Sequence, residues 1–368
     1  MRSPLSFRVF VATGFTLGVI ALGTVVLQLA STDTVAFASV GNAPIPRPRQ
    51  LSHTWHLVNG THWQIVSDTR EPTDDTDARE KTRGSCGPGM VEVAGKMKID
   101  PPRKSLYDGN SVEEMQKKTC TNWINKEYPE RCQTFDRDAW LELSKTLPNR
   151  DMHYCMDRFE YPNQKGEYPI IEVSFYEARD LCGAMNKRLC TEDEWTFACE
   201  GEEATPYPYG YERSPTTCVS DKTWLPYNDQ ALRERSSQGA MAELDKLWQG
   251  YRSGEQEKCR SIFGVYDMTG NVDEWTTSVR EGERPSILKG GYWGPVRTRC
   301  RPATRSHDQN HAFYQQGFRC CSDAGAAVKP PVDPEGATGA MGAGAFDDVS
   351  VSDSLGALTD GLFHRPAP

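Results

Sequence analysis

Between residues 85 and 323 the apolar positions fall into short groups divided by Gly, Pro, Asn and Asp, a rhythm of brief strands and helices. Met90-Val91-Glu92-Val93 reads as a short strand. Tyr154 to Tyr161 alternates as another, and after a Pro162-Asn163 turn the run Pro169 to Val173 reads as a third. Two helices have clear starts, because Ser174 with Glu177 and Thr191 with Glu194 both fit S/T-x-x-E. In that capping box the hydroxyl and the carboxylate satisfy free backbone N–H groups reciprocally. Phe175, Ala178, Cys182 and Met185 then share one helical face, as do Trp195, Ala198 and Cys199. Thr205 to Gly210, with prolines at 206 and 208, permits only extended backbone. Residues 211–262 are polar and read as a long surface excursion with one short helix near Ala240 to Trp248. Ile287 to Trp293 reads as a strand whose glycine pair lets another backbone pass closely, and Gly317 to Cys321 as a final strand.

The flanks differ in kind. Phe10 to Ala30 carries no charge and follows Arg2 and Arg8, so it is long enough to span a bilayer with the basic end kept in the cytoplasm. It reads as a signal anchor that leaves the rest of the chain outside the cytoplasm, in a periplasm or at a cell surface. Cleavage after Ala38, at the small residues around Phe37, would make the protein secreted instead. Residues 39–84, rich in Pro, Asp, Thr and Arg, read as a flexible stalk, and 324–368, rich in Gly, Ala, Asp and Pro, as a disordered tail. The organisation is therefore 1–38 anchor or signal peptide, 39–84 stalk, 85–323 folded domain and 324–368 tail.

The net charge of −9 with scattered Lys and Arg excludes a nucleic-acid surface. Twelve cysteines, an even number with no CxxC spacing, imply disulfides in an exported chain. Cys120 and Cys132 bracket a compact loop that suits a local bridge, and Cys218 with Cys259 would close the base of the excursion. Cys320 and Cys321 face opposite ways on a strand and so need different partners. For the set Cys86, Cys120, Cys132, Cys155, Cys190, Cys218, Cys259 and Cys321 the sequence does not fix the pairing.

The densest chemistry lies in Phe263 to Trp275. Asp267 and Glu274 supply carboxylates, and Gly270-Asn271 tolerates the positive φ that turns carbonyls inward. Calcium suits such a loop, with Asp267, Glu274 and the carbonyls of Gly270 and Val272 as ligands. The spacing is not that of an EF-hand, and an Asp–Gly–Asn turn leading into a packed Trp275 accounts for the same residues.

Several pieces recur in the order of one family. Asp157 to Asn163 (DRFEYPN) resembles its D-x-x-E-V-T-N, Val173 to Ala178 its V-S-W-x-D-A, and Arg188 to Trp195 (RLCTEDEW) its R-L-P-T-E-A-E-W. Tyr207 to Gly210 is similar to Y-P-W-G, Phe263 to Trp275 to G-L-Y-D-M-x-G-N-V-W-E-W, and Lys289-Gly290-Gly291 and Gly317-Phe318-Arg319 to R-G-G and G-F-R. The chain thus resembles the sulfatase-modifying-factor, or formylglycine-generating-enzyme-like, domain. The resemblance is strong over 155–321 and weaker over 85–154. It implies an α+β fold: an irregular single domain with a C-type-lectin-like core, low in regular secondary structure and stapled by disulfides. It also implies calcium at Asp267, Gly270, Val272 and Glu274, and the disulfides Cys182 with Cys320 and Cys199 with Cys300. A second calcium site in the family would lie near Cys218 to Asp221, where the segment does not align.

The departure lies between Gly291 and Cys300. The family's enzymes carry there two cysteines whose thiolates bind copper; here the interval reads YWGPVRTR. Asp273 stands where the enzymes have a pocket-shaping Trp, and Tyr292 where they have Ser. Copper chemistry of the known kind is therefore not expected. His307 and His311, spaced i, i+4, lack the acidic third ligand an iron site would need and read as surface histidines. No nucleophile elbow, P-loop or Rossmann pattern appears. Asp273, Tyr292, Trp293, Arg297 and Arg299 are candidates for a pocket taking an anionic or sugar-like ligand, or else are core and rim. The expected function is a membrane-anchored, calcium-stabilised binding or accessory module of the cell envelope, its partner an unknown ligand or envelope protein. The alternative is a divergent oxidase of the same family acting on a protein side chain or small molecule, and a third reading is a purely structural envelope role.

Overall fold

A computed structural model of the chain describes residues 54–58, 60–67, 85–102, 111–280 and 282–328. The apolar stretch 10–30, the site after Ala38 and the tail beyond 328 lie outside these residues. All described residues belong to the second of two compact units, Leu51–Pro368.

The first element corrects the stalk expected over 39–84. Strands β1 (Thr54–Val58) and β2 (His62–Ser67) form an antiparallel hairpin, with Val58 opposite His62. The turn follows from Asn59-Gly60 in the sequence, flanked by the alternating apolar residues Trp55, Leu57, Trp63 and Ile65. Trp55, Trp63 and Ile65 are buried in a core cluster, which the polar composition of the surrounding residues had obscured.

The strand expected at Met90 extends as β3 (Met90–Lys98), followed by helix α1 (Val112–Lys117) and a second hairpin, β4 (Cys120–Asn125) with β5 (Arg131–Phe135). Helix α2 (Arg137–Ser144), capped by Asp136, leads into β6 (Asn149–Asp157). This strand lies earlier than its alternation suggests, because Arg158 to Asn163 leave the ladder for a turn. The run Pro169 to Val173 is not a strand and makes one isolated bridge, Ile171 to Trp63. Both capping boxes are present, on α3 (Phe175–Ala184) and α4 (Glu192–Glu200), with β7 (Arg188–Leu189) between them.

The excursion 211–262 holds two helices, α5 (Asp229–Arg233) and α6 (Gln238–Leu247). It is more than surface, since Leu232, Ala240, Leu244, Leu247 and Trp248 are buried in the same cluster as the hairpin tryptophans. Strands β8 (Asp273–Thr277), β9 (Ser286–Lys289), β10 (Ala303–Thr304), β11 (Gln316–Phe318) and β12 (Cys320–Asp323) follow.

Two four-stranded sheets organise the domain, in the orders β3-β6-β12-β7 and β10-β9-β8-β11. The segment read as one final strand is divided between them: Gly317 pairs with Glu274 in parallel, whereas Cys320 and Cys321 pair antiparallel with Leu189 and Arg188. Arg319 is the residue at the crossing.

Six disulfides use all twelve cysteines: Cys86–Cys155, Cys120–Cys132, Cys182–Cys320, Cys190–Cys321, Cys199–Cys300 and Cys218–Cys259. The fold is an irregular, disulfide-stapled α+β domain. Among the described residues no helix is long and apolar enough to cross a membrane.

Candidate functional site

The loop before β8 sits on a buried group of charges centred on Arg319. Its guanidinium donates from Nε to Glu274 Oε2 at 2.7 Å and from Nη2 to Glu274 Oε1 at 2.6 Å, and Nη2 also reaches the Tyr266 carbonyl at 2.9 Å. The Trp195 indole N–H donates to the same Glu274 Oε2 at 2.8 Å. Because β11 runs parallel to β8, Arg319 emerges beside Glu274 and the pair is sealed under α4.

Glu160 and Asp267 complete the group. Glu160 accepts from Asn271 Nδ2 at 2.7 Å and Ser253 Oγ at 2.9 Å, while Asp267, at φ 57°, accepts from the Gly254 N–H at 2.6 Å. Burial pushes the Glu160 carboxyl well up, with Asp267 and Glu274 adding repulsion. Burial likewise lifts Asp267 to about 7 against the pull of the Gly254 N–H and Arg319. Three carboxylates thus share one guanidinium, and the two without a charged partner of their own carry the strain.

The sequence-predicted calcium residues lie on this loop. Gly270 has φ 81°, and a Cβ there would meet the Val219 carbonyl oxygen at 2.1 Å, so only glycine fits. Its N–H donates to the Gly290 carbonyl at 3.2 Å, and the Trp293 N–H donates to the Asn271 carbonyl at 3.1 Å. These bonds join the loop to the segment Gly290 to Trp293, and the Asn271 N–H, donating to the Val219 carbonyl at 3.0 Å, joins it to the disulfide-closed excursion. Glu274 has both oxygens engaged, so a cation there would compete with Arg319 and Trp195. Among the described residues no three His, Cys, Asp or Glu side chains converge on a metal position; a shell of two carboxylates and two carbonyls is a different arrangement.

In the segment Cys218 to Asp221, Asp221 is clamped by Arg213, at 2.8 Å to each oxygen, and by Arg131 at 3.0 Å. Burial works against its charge, yet the two guanidinium groups hold its carboxyl below the usual range.

The five candidate pocket residues do not all meet. Asp273 Oδ1 accepts from the Gly291 N–H at 3.2 Å, and burial raises its carboxyl to about 7, opposed by Arg297. Tyr292 and Trp293 pack edge to face at 5.7 Å, and Trp293 meets Trp248 edge to face at 4.8 Å, so both rings belong to the core. Arg297 bonds Thr304 Oγ1 and lies 3.4 Å from the Tyr128 hydroxyl at the surface. Arg299 instead points to Gln116 Oε1 at 3.1 Å, over the Phe135 ring and away from Asp273. His307 and His311 stack at 3.9 Å, and His311 Nδ1 is 3.0 Å from Gln316 Oε1.

Sequence reasoning passed over Glu160, Arg319, Lys289 and Ser253 as site residues, although the first three stand inside motifs already quoted. Lys289 is buried, donates to the Arg301 carbonyl at 2.7 Å, and is pulled down to about 7 by burial despite nearby carboxylates.

Residues 111–324 match the family of sulfatase-modifying factor enzyme 1-like domains. Over 180 residues the chain is 31% identical to inactive C-alpha-formylglycine-generating enzyme 2 of Bos taurus, covering 46% of this chain and 54% of that protein. Over 219 residues it is 29% identical to formylglycine-generating enzyme of Mycobacterium tuberculosis, covering 51% of this chain and 68% of that one. The chain spans about half the length of the first of these relatives. Among solved structures, PvdO from Pseudomonas aeruginosa aligns at a TM-score of 0.39 and 14% identity, over 65% of this chain and 95% of that one.

Proposed function

The chain belongs to the family of sulfatase-modifying factor enzyme 1-like domains, and from that premise we propose that it is a binding or accessory module which keeps the scaffold without copper chemistry. The carrying observation is the state of its sulfur. All twelve cysteines are in disulfides, and residues 292–299 contain none. Copper(I) needs soft ligands, and the residues present do not supply them. Tyr292 and Trp293 fill that segment as packed aromatics. The bovine relative is named as inactive, which supports the same reading.

An anionic or hydroxyl-rich ligand suits Arg297, whose guanidinium lies 6.0 Å from the centre of the exposed Tyr128 ring, whereas Asp273 and Tyr292 are buried. Calcium belongs to the same proposal, at Asp267, Glu274 and the carbonyls of Gly270 and Val272. What supports it is the surplus negative charge of Glu160, Asp267 and Glu274 over Arg319, which a hard cation would offset. Six disulfides suit a chain that folds in an oxidising compartment, in keeping with an anchor at residues 10–30 and a domain facing outward.

The test offers purified protein copper, oxygen and a sulfatase-type cysteine peptide, and follows aldehyde formation by mass spectrometry. No aldehyde is expected. Conversion of the peptide would replace this proposal with the divergent-oxidase reading.

A further inference from the structure

Tyr128, in the turn between β4 and β5, is the most exposed of the large apolar and aromatic side chains among the described residues, at 79%. Its ring meets Arg297, whose guanidinium carbon lies 6.0 Å from the ring centre and whose Nη1 lies 3.4 Å from the hydroxyl. The guanidinium thus sits toward the hydroxyl end and leaves most of the ring to water. Arg297 also donates to Thr304 Oγ1 of β10, and among the described residues no carboxylate is ion-paired with it. The buried Asp273 feels this charge without pairing with it. Tyr176 and Arg179 make the same kind of contact on α3, at 5.0 Å, but there Asp180 holds the guanidinium at 2.8 Å. The cation at Tyr176 is already matched, whereas the one at Tyr128 is open to an anion from outside.

Behind Tyr128 lies a floor of phenols. Tyr292 and Tyr314 are buried, and their hydroxyls bond each other. Burial raises the Tyr292 phenol, with Asp273, Tyr128 and Tyr227 beside it adding to the rise. Tyr227 reaches this floor from the excursion, 6.1 Å from Tyr314 and edge to face with Phe313 at 4.9 Å, and stays 43% exposed. Two exposed tyrosines from separate segments therefore flank two buried ones, with an unmatched guanidinium at the side.

A pyranose ring has an apolar C–H face and a rim of hydroxyls, and a tyrosine has an apolar face and a polar tip, so the two match with little ordering of the protein. A peptide anchor would instead call for a desolvated pocket, and these rings stand open to water. The net charge of −9 repels a polyanion from the chain at large, so an acidic ligand has to be held by a local cation. A guanidinium fork fits a planar carboxylate at two points. We propose that this face is a binding site for glycan chains carrying uronate carboxylates, with sugar rings on Tyr128 and Tyr227 and a carboxylate on Arg297. The inference rests on the reading of the chain as a binding module and supplies the ligand for its Arg297 face.

Calorimetric titration of the purified full chain with hexasaccharides of glucuronate, galacturonate or mannuronate tests it. A neutral glucose hexasaccharide, a sulfated galactose hexasaccharide and hexaglutamate are the comparison arms. At least one uronate series should bind, and more tightly than any of the three. Arg297→Gln should weaken that binding about tenfold and Tyr128→Ala about fivefold, while Tyr128→Phe, which keeps the ring face, should stay within about twofold. Tyr176→Ala should bind like the unaltered chain, and added salt should weaken binding. No binding of any uronate, equal affinity for the neutral chain, or tighter binding of the sulfated chain or of hexaglutamate would overturn the proposal. Should Arg297→Gln fail to fold, Tyr128→Ala at its exposed turn position still decides, and an unchanged affinity there would refute it. Aldehyde formation is read independently, so a chain that makes no aldehyde and binds no uronate loses only the ligand assigned here.

Discussion

Arg319 and Glu274 form a two-pronged ion pair from which solvent is excluded on both sides, at 2.7 and 2.6 Å. Such a pair contributes less through its own attraction than its members cost when parted. Arg319→Met should therefore lower unfolding free energy by about 3–5 kcal/mol, because Glu274 is left charged and buried. Arg319→Met with Glu274→Leu should recover much of that loss. Denaturant titrations arranged as a double-mutant cycle read the coupling, and a double variant no better than the sum of the singles would assign the loss to packing instead.

Calcium should raise the melting temperature and a chelator should reverse the shift, since only the folded loop offers the shell. Asp267→Asn should abolish the response while leaving the protein folded. Gly270→Ala should fail differently, destabilising the domain with or without calcium, because its Cβ would lie 2.1 Å from the Val219 carbonyl. A melting curve indifferent to calcium would remove the metal from the proposal and leave protons to neutralise Asp267 and Glu160.

Lys289 gives stability a signature at alkaline pH. Its folded value is lowered to about 7 from 10.5, so between those limits the unfolded chain holds a proton that the folded chain has lost. Stability from this group therefore rises as pH increases through that window, by up to about 1.4 kcal/mol per pH unit, and the penalty is complete below pH 7. Lys289→Met should flatten the slope measured by urea titration between pH 7 and 10, and an unchanged slope would place the titration elsewhere.

The disulfides should differ in worth according to the loops they close. Cys182 and Cys320 are 138 residues apart and Cys120 and Cys132 only 12. Chain entropy gives about 5 kcal/mol for the longer loop and about 3 kcal/mol for the shorter. Replacing each pair by alanine and measuring unfolding should reproduce that order.

What could be read from the letters was what depends on near neighbours. The capping boxes at Ser174 and Thr191 involve residues three apart, and Cys120 and Cys132 span one hairpin, so composition and spacing were enough. The pairing of Cys86 with Cys155 was not legible, because it depends on the register that sets Glu92 opposite Cys155 in the β3-β6 ladder. The same holds at the candidate site. Asp267 and Glu274 announce carboxylate chemistry, but nothing local says that Arg319, 45 residues beyond Glu274, occupies both oxygens of Glu274. Trp55 and Trp63 were lost for the opposite reason: a genuine hairpin alternation lies within a stretch whose average composition is that of a linker. Arg297 and Arg299 are only two positions apart, yet Arg297 lies near Tyr128 while Arg299 points toward Gln116 of α1, a divergence that nothing in the local sequence marks.

The crossing at Arg319 also sets an order of events for a chain made from its N-terminus. Neither four-stranded sheet is complete until residues 316–323 have left the ribosome, since one sheet awaits β11 and the other β12. The Cys182–Cys320 and Cys190–Cys321 bridges wait on the same eight residues. A nascent chain stalled just before Gln316 would thus hold its helices and hairpins around an open centre, and oxidation at that stage would have to join Cys182 and Cys190 to the wrong sulfurs or leave them reduced.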